Sequence, residues 1–309
     1  MTILVFEFMV GGGVADQHPL DDDLKVFFEQ GHSMLKAVCE DLSSLGHRLI
    51  VPVDVKVQHS LPASVSVKNV ATEGELDSAL TAAANEAQHI LLIAPESDGC
   101  LEHFADLLSP WAERFLSPDL EFIRLTANKW KCHQWLSQRD VPCPETVMVT
   151  GEETPSLSDG FFPCVAKPVD GAGSEGVRLI ESRKDLSGVK APILLQKFVS
   201  GTPASVSVIV SGEEIHFLEP GRQVFDNDPF GIHLRTEYPL ERSLKERALK
   251  LAQMTLTALP KTQGYFGIDM VLADDPNNDV VIEINPRLTT SWVWLREYNG
   301  ENLASKFPF

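Results

Sequence analysis

A short apolar segment near the C-terminal end, VVIEINPR (residues 280–287), carries a polar side chain at every second position from Glu283 onward. Side chains two residues apart in a strand point to the same face. Glu283, Asn285 and Arg287 therefore share one face, while Ile282 and Ile284 face the other way. The pattern predicts a strand with one face on a hydrophobic core and the other lining a polar site.

The preceding apolar segment, GYFGIDMVL (264–272), predicts the partner strand of a hairpin, with Asp269 inside it. If the turn length or a bulge places Asp269 on the face of Glu283, two carboxylates and the Asn285 amide oxygen converge. Facing carboxylates repel each other, and a divalent cation removes that conflict. Hard oxygen ligands of this kind suit Mg²⁺ held together with nucleotide phosphates. The alternative is an exposed Glu283–Arg287 ion pair without a metal.

A glycine-rich segment, VAKPVDGAGSEGVRLI (165–180), contains Gly171, Gly173 and Gly176 between two strand patterns. A dinucleotide-binding fingerprint must open a helix, and a Walker A loop needs a following Gly-Lys-Ser/Thr, so neither motif fits. The spacing instead predicts a strand–loop–strand flap, whose backbone N–H groups can approach phosphate oxygens closely. The hydroxyl of Ser174 could add a further donor.

Lys167 lies just before this flap, where its ammonium could reach the α- and β-phosphates of a nucleotide. Protein kinases have a similar flap but place the lysine after it, so the order here is reversed. The alternative interpretation is a glycine-rich β-turn with an exposed lysine.

The first third of the chain alternates strand and helix patterns, which predicts a small parallel α/β domain over residues 1–118. The acidic segment 16–23 is predicted to be a mobile loop. The predicted strands span residues 2–8, 47–55 and 89–95, and the predicted helices span residues 31–46 and 72–87.

The rest of the chain predicts an α+β organisation. A short helix capped by Thr126 or Asn128 is followed by antiparallel strands and by a longer helix at 241–259.

Composition narrows the classes of function. The 309 residues carry 26 basic and 44 acidic side chains, a formal net charge of −18, which opposes binding to nucleic acid. The five cysteines show no paired spacing, which argues against a disulfide framework or a zinc site. There is no apolar stretch of the ~18 residues that would span a bilayer, and the N-terminus lacks the basic region of a leader. We therefore expect a cytoplasmic protein with no membrane partner.

Taken in order along the chain, these motifs resemble those of the ATP-grasp superfamily of carboxylate–amine ligases. The resemblance covers most of residues 120–300. It implies an ATP-grasp fold, in which an N-terminal Rossmann-like parallel α/β domain (1–118) precedes two α+β subdomains that enclose the nucleotide. The first subdomain (119–200) would carry the glycine flap, and the second (201–309) would carry the metal site.

The resemblance also implies roles for individual residues, with ATP and Mg²⁺ or Mn²⁺ as cofactors. Lys129, in ANKWK, is similar to the first nucleotide lysine, and Lys167 to the second. The hinge whose backbone meets the adenine corresponds to Gln196, Lys197, Phe198 and Val199, and the metal ligands correspond to Asp269, Glu283 and Asn285.

One departure from the family pattern concerns the ribose. The acidic residue that often follows the hinge glycine is absent from GTPASVS (201–207). A backbone carbonyl or a residue of DNDPFG (226–231) could take its place.

The implied activity joins a small carboxylic acid to an amine through an acyl phosphate, with ADP and phosphate as products. Phosphoryl transfer depends chiefly on positioning and charge neutralisation, so no protein nucleophile is expected. Arg287, with Arg235 as a second candidate, is predicted to neutralise the reacting carboxylate or acyl phosphate.

Several alternatives stay open beside this activity. A small-molecule kinase and a nucleotide-binding protein without turnover are two of them, whereas a dinucleotide-dependent oxidoreductase is opposed by the strand after the flap. More narrowly, the ILVFEF–GGG start resembles the tyramine–glutamate ligases of methanofuran biosynthesis. Residues 11–13 of that start could contribute to the substrate site, and a homodimer is one option for the assembly.

Overall fold

The structure is a computed structural model. It describes residues 1–151, 157–173, 176–186, 191–226 and 231–309.

The N-terminal unit contains a four-stranded parallel sheet in the order β3-β2-β1-β4. Its strands are β1 (Thr2–Glu7), β2 (Arg48–Asp54), β3 (Val65–Val70) and β4 (His89–Ile93), and its helices are α1 (Asp22–Ser44), α2 (Glu73–Glu86) and α3 (Cys100–Leu107). The strand residues are apolar on both faces because both faces are covered. Ile3 and Val5 belong to the core that includes α1, whereas Leu4 and Phe6 belong to the core that includes α2 and α3.

Two details of this unit differ from the prediction. Helix α1 begins at Asp22, not at residue 31, because the Asp21 side chain accepts a hydrogen bond from Leu24 N and caps an earlier first turn. The polar-rich strand β3 was missed, since its weak apolar pattern suits an edge strand. The predicted parallel α/β arrangement is otherwise confirmed.

The middle unit is built on an antiparallel sheet in the order β5-β8-β6-β7. Asn128 caps the second of its two helices by accepting a hydrogen bond from Lys131 N, as predicted. The unit comprises α4 (Leu120–Thr126), α5 (Lys129–Ser137), β5 (Thr146–Val149), β6 (Cys164–Lys167), β7 (Arg178–Ile180) and β8 (Ile193–Lys197).

The third unit is a larger antiparallel sheet in the order β12-β11-β9-β13-β14, with β10 paired to β9. One face of β9 and β13 packs against α6 and forms a core with the apolar faces of α4 and α5. The elements of the unit are β9 (Gly201–Ser211), β10 (Glu214–Phe217), β11 (Gly221–Phe225), β12 (His233–Glu237), α6 (Arg242–Ala258), β13 (Gly264–Ala273), β14 (Val280–Asn285) and α7 (Ser291–Asn299).

Helix α7 packs against α1 and so connects the third unit to the first. Trp292 is fully buried, and its Nε1 donates to Asp41 Oδ2 of α1 at 2.9 Å. Arg296 donates to Asp41 Oδ1 and to Glu40 on the same helix. These contacts hold α1 against the open face of the third sheet.

The three sheets support the division that we predicted from the sequence. We propose that residues 1–118, 119–200 and 201–309 are the three structural units, since each sheet falls within one of these ranges. Within the described part of the chain, no helix is both long and apolar enough to cross a membrane.

Candidate active site

A cavity of about 270 Å³ lies where the three units meet. Helix α1 contributes Gln30 and Met34 from the first unit. The middle unit contributes lysines, flap glycines and the segment after β8, and the third unit contributes the polar faces of β11 to β14.

The C-terminal hairpin brings its two acidic side chains to the cavity. Asp269 on β13 is paired directly with Glu283 on β14, and a bulge follows between Asp269 and Met270. Directly opposed residues share one face of a sheet. Asn285 Nδ2 donates to Asp269 Oδ2 at 2.9 Å, and Gln223 Nε2 donates to Asp269 Oδ1 at 3.1 Å. The structure therefore brings Asp269, Glu283 and Asn285 together.

The two carboxylates of the pair differ in their electrostatic surroundings. Burial, reinforced by the charge of Glu283, raises the pKa of Asp269 to about 7. Burial also opposes ionisation of Glu283, but Lys129 and Lys167 outweigh it and hold the Glu283 pKa below its usual value. The pair thus has one firmly ionised member and one that resists ionisation next to it.

This donor set fits a divalent cation shared with phosphates. The described residues contain no group of three or more His, Cys, Asp or Glu side chains that could hold a metal. Mg²⁺ commonly binds through one or two carboxylates together with substrate phosphates and water, and it needs no larger protein cage. The repulsion that raises the Asp269 pKa is one that such a cation would relieve.

Two lysines face the carboxylate pair. Lys129 Nζ lies 3.2 Å from Glu283 Oε2 and donates to the Gly171 carbonyl at 2.5 Å. Lys167, at the end of β6, is 4% exposed, and its Nζ lies 3.5 Å from the Ile282 carbonyl. Burial lowers the pKa of Lys167 to about 8, against the attraction of Glu283. Both lysines line the cavity.

The glycine flap joins two antiparallel strands, as predicted: Cys164 pairs with Ile180 and Ala166 with Arg178. Gly173 has φ +65°, and a Cβ there would lie 2.3 Å from the Phe27 ring of α1. Ala172 N also donates to Ser97 Oγ at 3.2 Å. The flap is therefore closed onto the N-terminal unit.

Not every predicted flap residue lines the cavity. Gly171 and Gly173 do, whereas Gly176 forms a left-handed turn against Pro168 and is not among the lining residues. The prediction for Ser174 lies outside the described residues, as does most of the segment 226–231 proposed for the ribose.

The predicted hinge, which includes the end of β8 and the residues that follow it, lines the cavity with all four residues Gln196, Lys197, Phe198 and Val199. Two of its N–H groups are already used, since Lys197 N donates to Glu145 O and Phe198 N donates to Pro163 O. Any adenine contact from this segment would therefore come from its carbonyl groups or from Val199.

Arg287 lies in the cavity but is not paired with Glu283. Its Nε and Nη2 donate to Glu96 Oε2 at 3.1 and 2.9 Å, and Nη1 contacts the Leu288 carbonyl at 3.3 Å. Glu96 follows β4 in the N-terminal unit and is 3% exposed. Glu96 therefore fixes the guanidinium by its Nε/Nη2 edge.

Two predictions from the sequence do not match the cavity. Arg235 is exposed and pairs with Glu237, because it alternates with the buried Thr236 and so lies on the outer face of β12. Residues 11–13 form a closed loop in which Gly11 N bonds to Glu7 O and Gly13 N bonds to Phe8 O. Neither Arg235 nor residues 11–13 line the cavity.

Sequence reasoning missed His233, which lines the cavity. It also missed Glu96 and Ser97, which lie behind the cavity wall and contact Arg287 and the flap, respectively. The position of Glu96 and Ser97 just beyond β4 was a usable signal, because ligands bind outside the carboxyl ends of parallel strands. His233 had no comparable signal. The bulge opposite Phe225 turns its ring inward, where Nδ1 bonds to Thr290 Oγ1 and Nε2 to Thr236 Oγ1.

Comparison with known proteins places this site in a family. The family model for the ATP-grasp domain matches residues 126–291, which include both lysines, the flap and the carboxylate hairpin. This chain belongs to the ATP-grasp family. ATP binding is a property of that family, and the predicted superfamily and fold are confirmed.

Relatives and solved structures agree with this assignment. An ATP-grasp superfamily protein from Archaeoglobus fulgidus superposes with a TM-score of 0.74 at 20% identity, over 96% of this chain and 84% of that one. The L-amino acid ligase from Bacillus licheniformis superposes with a TM-score of 0.69 at 17% identity, over 96% and 70%. At these identities the superpositions show the fold alone.

Among curated proteins, the 3-methyl-D-ornithine–L-lysine ligase of Methanosarcina mazei is 27% identical over 165 residues, 52% of this chain. The match spans only 40% of that relative, so less than half of its length is represented. The narrower likeness to tyramine–glutamate ligases is not tested by these relatives and stays a prediction.

Proposed function

We propose that this ATP-grasp protein is an ATP-dependent ligase that joins a small carboxylic acid to an amine through an acyl phosphate. The observation that carries the proposal is the position of Arg287. Its guanidinium, held on one edge by Glu96, lies in the same cavity as two lysines and an opposed carboxylate pair. The names of the relatives, which are ligases that act on amino acids, support the same class.

The nucleotide would bind between the middle and third units. Lys129 and Lys167 would neutralise its phosphates, with the flap above them and the segment after β8 against the adenine. In this arrangement Lys129 exchanges its contacts with Glu283 and Gly171 for phosphate oxygens.

Asp269, Glu283 and Asn285 would hold the divalent cation. When bound, it would neutralise charge on the β- and γ-phosphate oxygens. Gln223 would keep the Asp269 carboxylate oriented through its hydrogen bond to Oδ1.

In the first step, a carboxylate oxygen of the acid attacks the γ-phosphorus. An O–P bond forms, the bond from that phosphorus to the bridging oxygen breaks, and ADP leaves with the electron pair. Arg287 would hold the attacking carboxylate by its Nη1/Nη2 edge, while Glu96 fixes the guanidinium from the other edge.

In the second step, the free amine attacks the acyl carbon. A C–N bond forms and the C–O bond to phosphate breaks, so phosphate leaves and the proton of the amine passes to it or to water. Arg287 would stabilise the negative charge that builds on the acyl phosphate oxygens.

A kinase is the second candidate, and one observation disfavours it. Phosphorylation of a hydroxyl needs a base for its proton, as in the kinase catalytic loop. In the described part of the cavity wall, Asp269 and Glu283 form the opposed pair, and both nitrogens of His233 are hydrogen bonded to threonines. A carboxylate nucleophile needs no such base.

The test is product release under defined substrate omission. The ligase predicts ADP and phosphate only when ATP, acid and amine are all present, and hydroxylamine should trap the acyl group as a hydroxamate. A kinase would release ADP without phosphate. Phosphate release that depends on no carboxylic acid would exclude the ligase proposal.

A further inference from the structure

One wall of the cavity has no role in the nucleotide chemistry described above. It is formed by Gln30 and Met34 of α1, Phe225 of β11, His233 of β12 and Thr290 after β14, which we call the His233 wall. These residues form a connected set. Gln30 Nε2 donates to the His233 carbonyl at 3.3 Å, Thr290 Oγ1 bonds to His233 Nδ1 at 3.2 Å, and the Phe225 and His233 rings lie edge to face.

The polar groups of this wall are neutral. His233 is half-buried, and both ring nitrogens bond to threonine hydroxyls. Burial lowers the pKa of His233 to about 4, so the imidazole carries no charge near neutral pH. Gln30 and Thr290 offer only uncharged hydrogen-bonding groups, while Met34 and Phe225 offer apolar surface.

The basic side chains at the cavity are committed elsewhere. In the described portion of the lining these are Lys129, Lys167, Lys197 and Arg287. The first two face Glu283, Lys197 is an exposed residue at the end of β8, and Arg287 is paired with Glu96.

A second anionic group on the acid would therefore meet no cation at the His233 wall. Burying an unpaired anion is strongly unfavourable. We infer that the acid substrate carries a single carboxylate and an uncharged, unphosphorylated side chain, which packs against Met34 and Phe225. This inference rests on the proposed ligase function. It also argues against glutamate, the acid that the narrower family resemblance suggests.

The test measures ADP and phosphate release by the full chain with ATP, Mg²⁺ and hydroxylamine over a panel of acids. The panel pairs neutral amino acids (alanine, methionine, leucine, phenylalanine) with aspartate, glutamate and phosphoserine. At least one neutral acid should exceed every acidic one at least tenfold in kcat/KM. An aspartate, glutamate or phosphoserine activity equal to the best neutral acid would overturn the inference while leaving the ligase intact. Release independent of any acid would overturn both.

A charge placed on the wall provides a second readout. Gln30 is half-buried at the cavity, and Gln30→Lys should raise kcat/KM for aspartate or glutamate relative to the best neutral acid at least tenfold. Ser33→Lys puts the same charge on the exposed side of α1 and should leave that ratio unchanged within about twofold. An equal shift in both variants, or none in Gln30→Lys, would contradict the assignment of this wall to the acid.

Discussion

The ion pair between Glu96 and Arg287 connects the N-terminal sheet to the proposed chemistry, and Glu96→Gln tests that connection. The Glu96 side chain is 3% exposed and that of Arg287 is 13% exposed. Both guanidinium contacts end on one oxygen, Glu96 Oε2, at 2.9 and 3.1 Å. The substitution preserves the shape and one acceptor but removes the compensating charge.

The loss of stability expected for Glu96→Gln depends on the burial of the ion pair. Removing one partner of a buried ion pair costs about 3–5 kcal/mol, because the remaining charge is uncompensated. Since the glutamine oxygen can still accept a hydrogen bond from Arg287, we expect the lower end, about 3 kcal/mol. For a chain of this size that corresponds to a fall in Tm of roughly 5 °C.

Activity should respond separately from nucleotide binding. If Glu96 aligns the guanidinium for the acid, kcat/KM for the acid should fall by about 10- to 100-fold. The Kd for ADP should change by less than about twofold, because Glu96 does not line the cavity.

Thermal unfolding, acid-dependent phosphate release and ADP titration together decide the outcome. Glu102→Gln is the matched control, because Glu102 pairs with Arg124 at 2.8 Å on the surface, where such pairs contribute ~1 kcal/mol or less. The reasoning is refuted if Glu96→Gln and Glu102→Gln lose the same stability. It is also refuted if Glu96→Gln weakens ADP binding as strongly as it lowers kcat/KM.

Three further predictions concern other charged groups. Lys129→Met should weaken ADP binding about 10- to 100-fold, because it removes a charge-assisted phosphate contact. Lys131→Met is the control, since Lys131 is exposed on the same helix and its loss should not weaken binding. Calorimetric titration compares the two variants, and equal losses of ADP affinity would contradict the role of Lys129. Asp269→Asn should abolish the Mg²⁺ dependence of ADP binding. It should nevertheless raise the free energy of unfolding at pH 8 by about 2 kcal/mol, since it removes a buried charge opposite Glu283. Destabilisation in a denaturant titration would contradict this prediction. Burial raises the pKa of Glu7 to about 7, so the folded state binds more protons than the unfolded state between pH 4.5 and 7, and this group should lower stability across that window by on the order of 3 kcal/mol. In unfolding measured from pH 5 to 8, Glu7→Gln should make the slope shallower by that amount and leave the share of Asp269; a slope equal to that of the unsubstituted chain would count against the assignment.

Local sequence patterns are sufficient to predict many of the helices and strands of this protein. The spacing of apolar residues predicts the helices α2 and α6 and the strands of the hairpin, because burial of one face depends only on the periods of helix and strand. The flap between two strands, and the carboxylates of that hairpin, follow from the same periodicity. The first residue of α1 was missed because its capping residue, Asp21, lies ahead of the apolar pattern.

Contacts between segments that are distant in the sequence could be identified only from the tertiary structure. The pairing of Arg287 with Glu96 joins residues 191 positions apart, and no local pattern distinguishes it from a pair with Glu283. The inward turn of His233 depends on a one-residue bulge, which reverses the side-chain direction of a strand without changing its composition. Motif order along the chain thus identified the family, while the register of strands and the meeting of three units decided which side chains line the cavity.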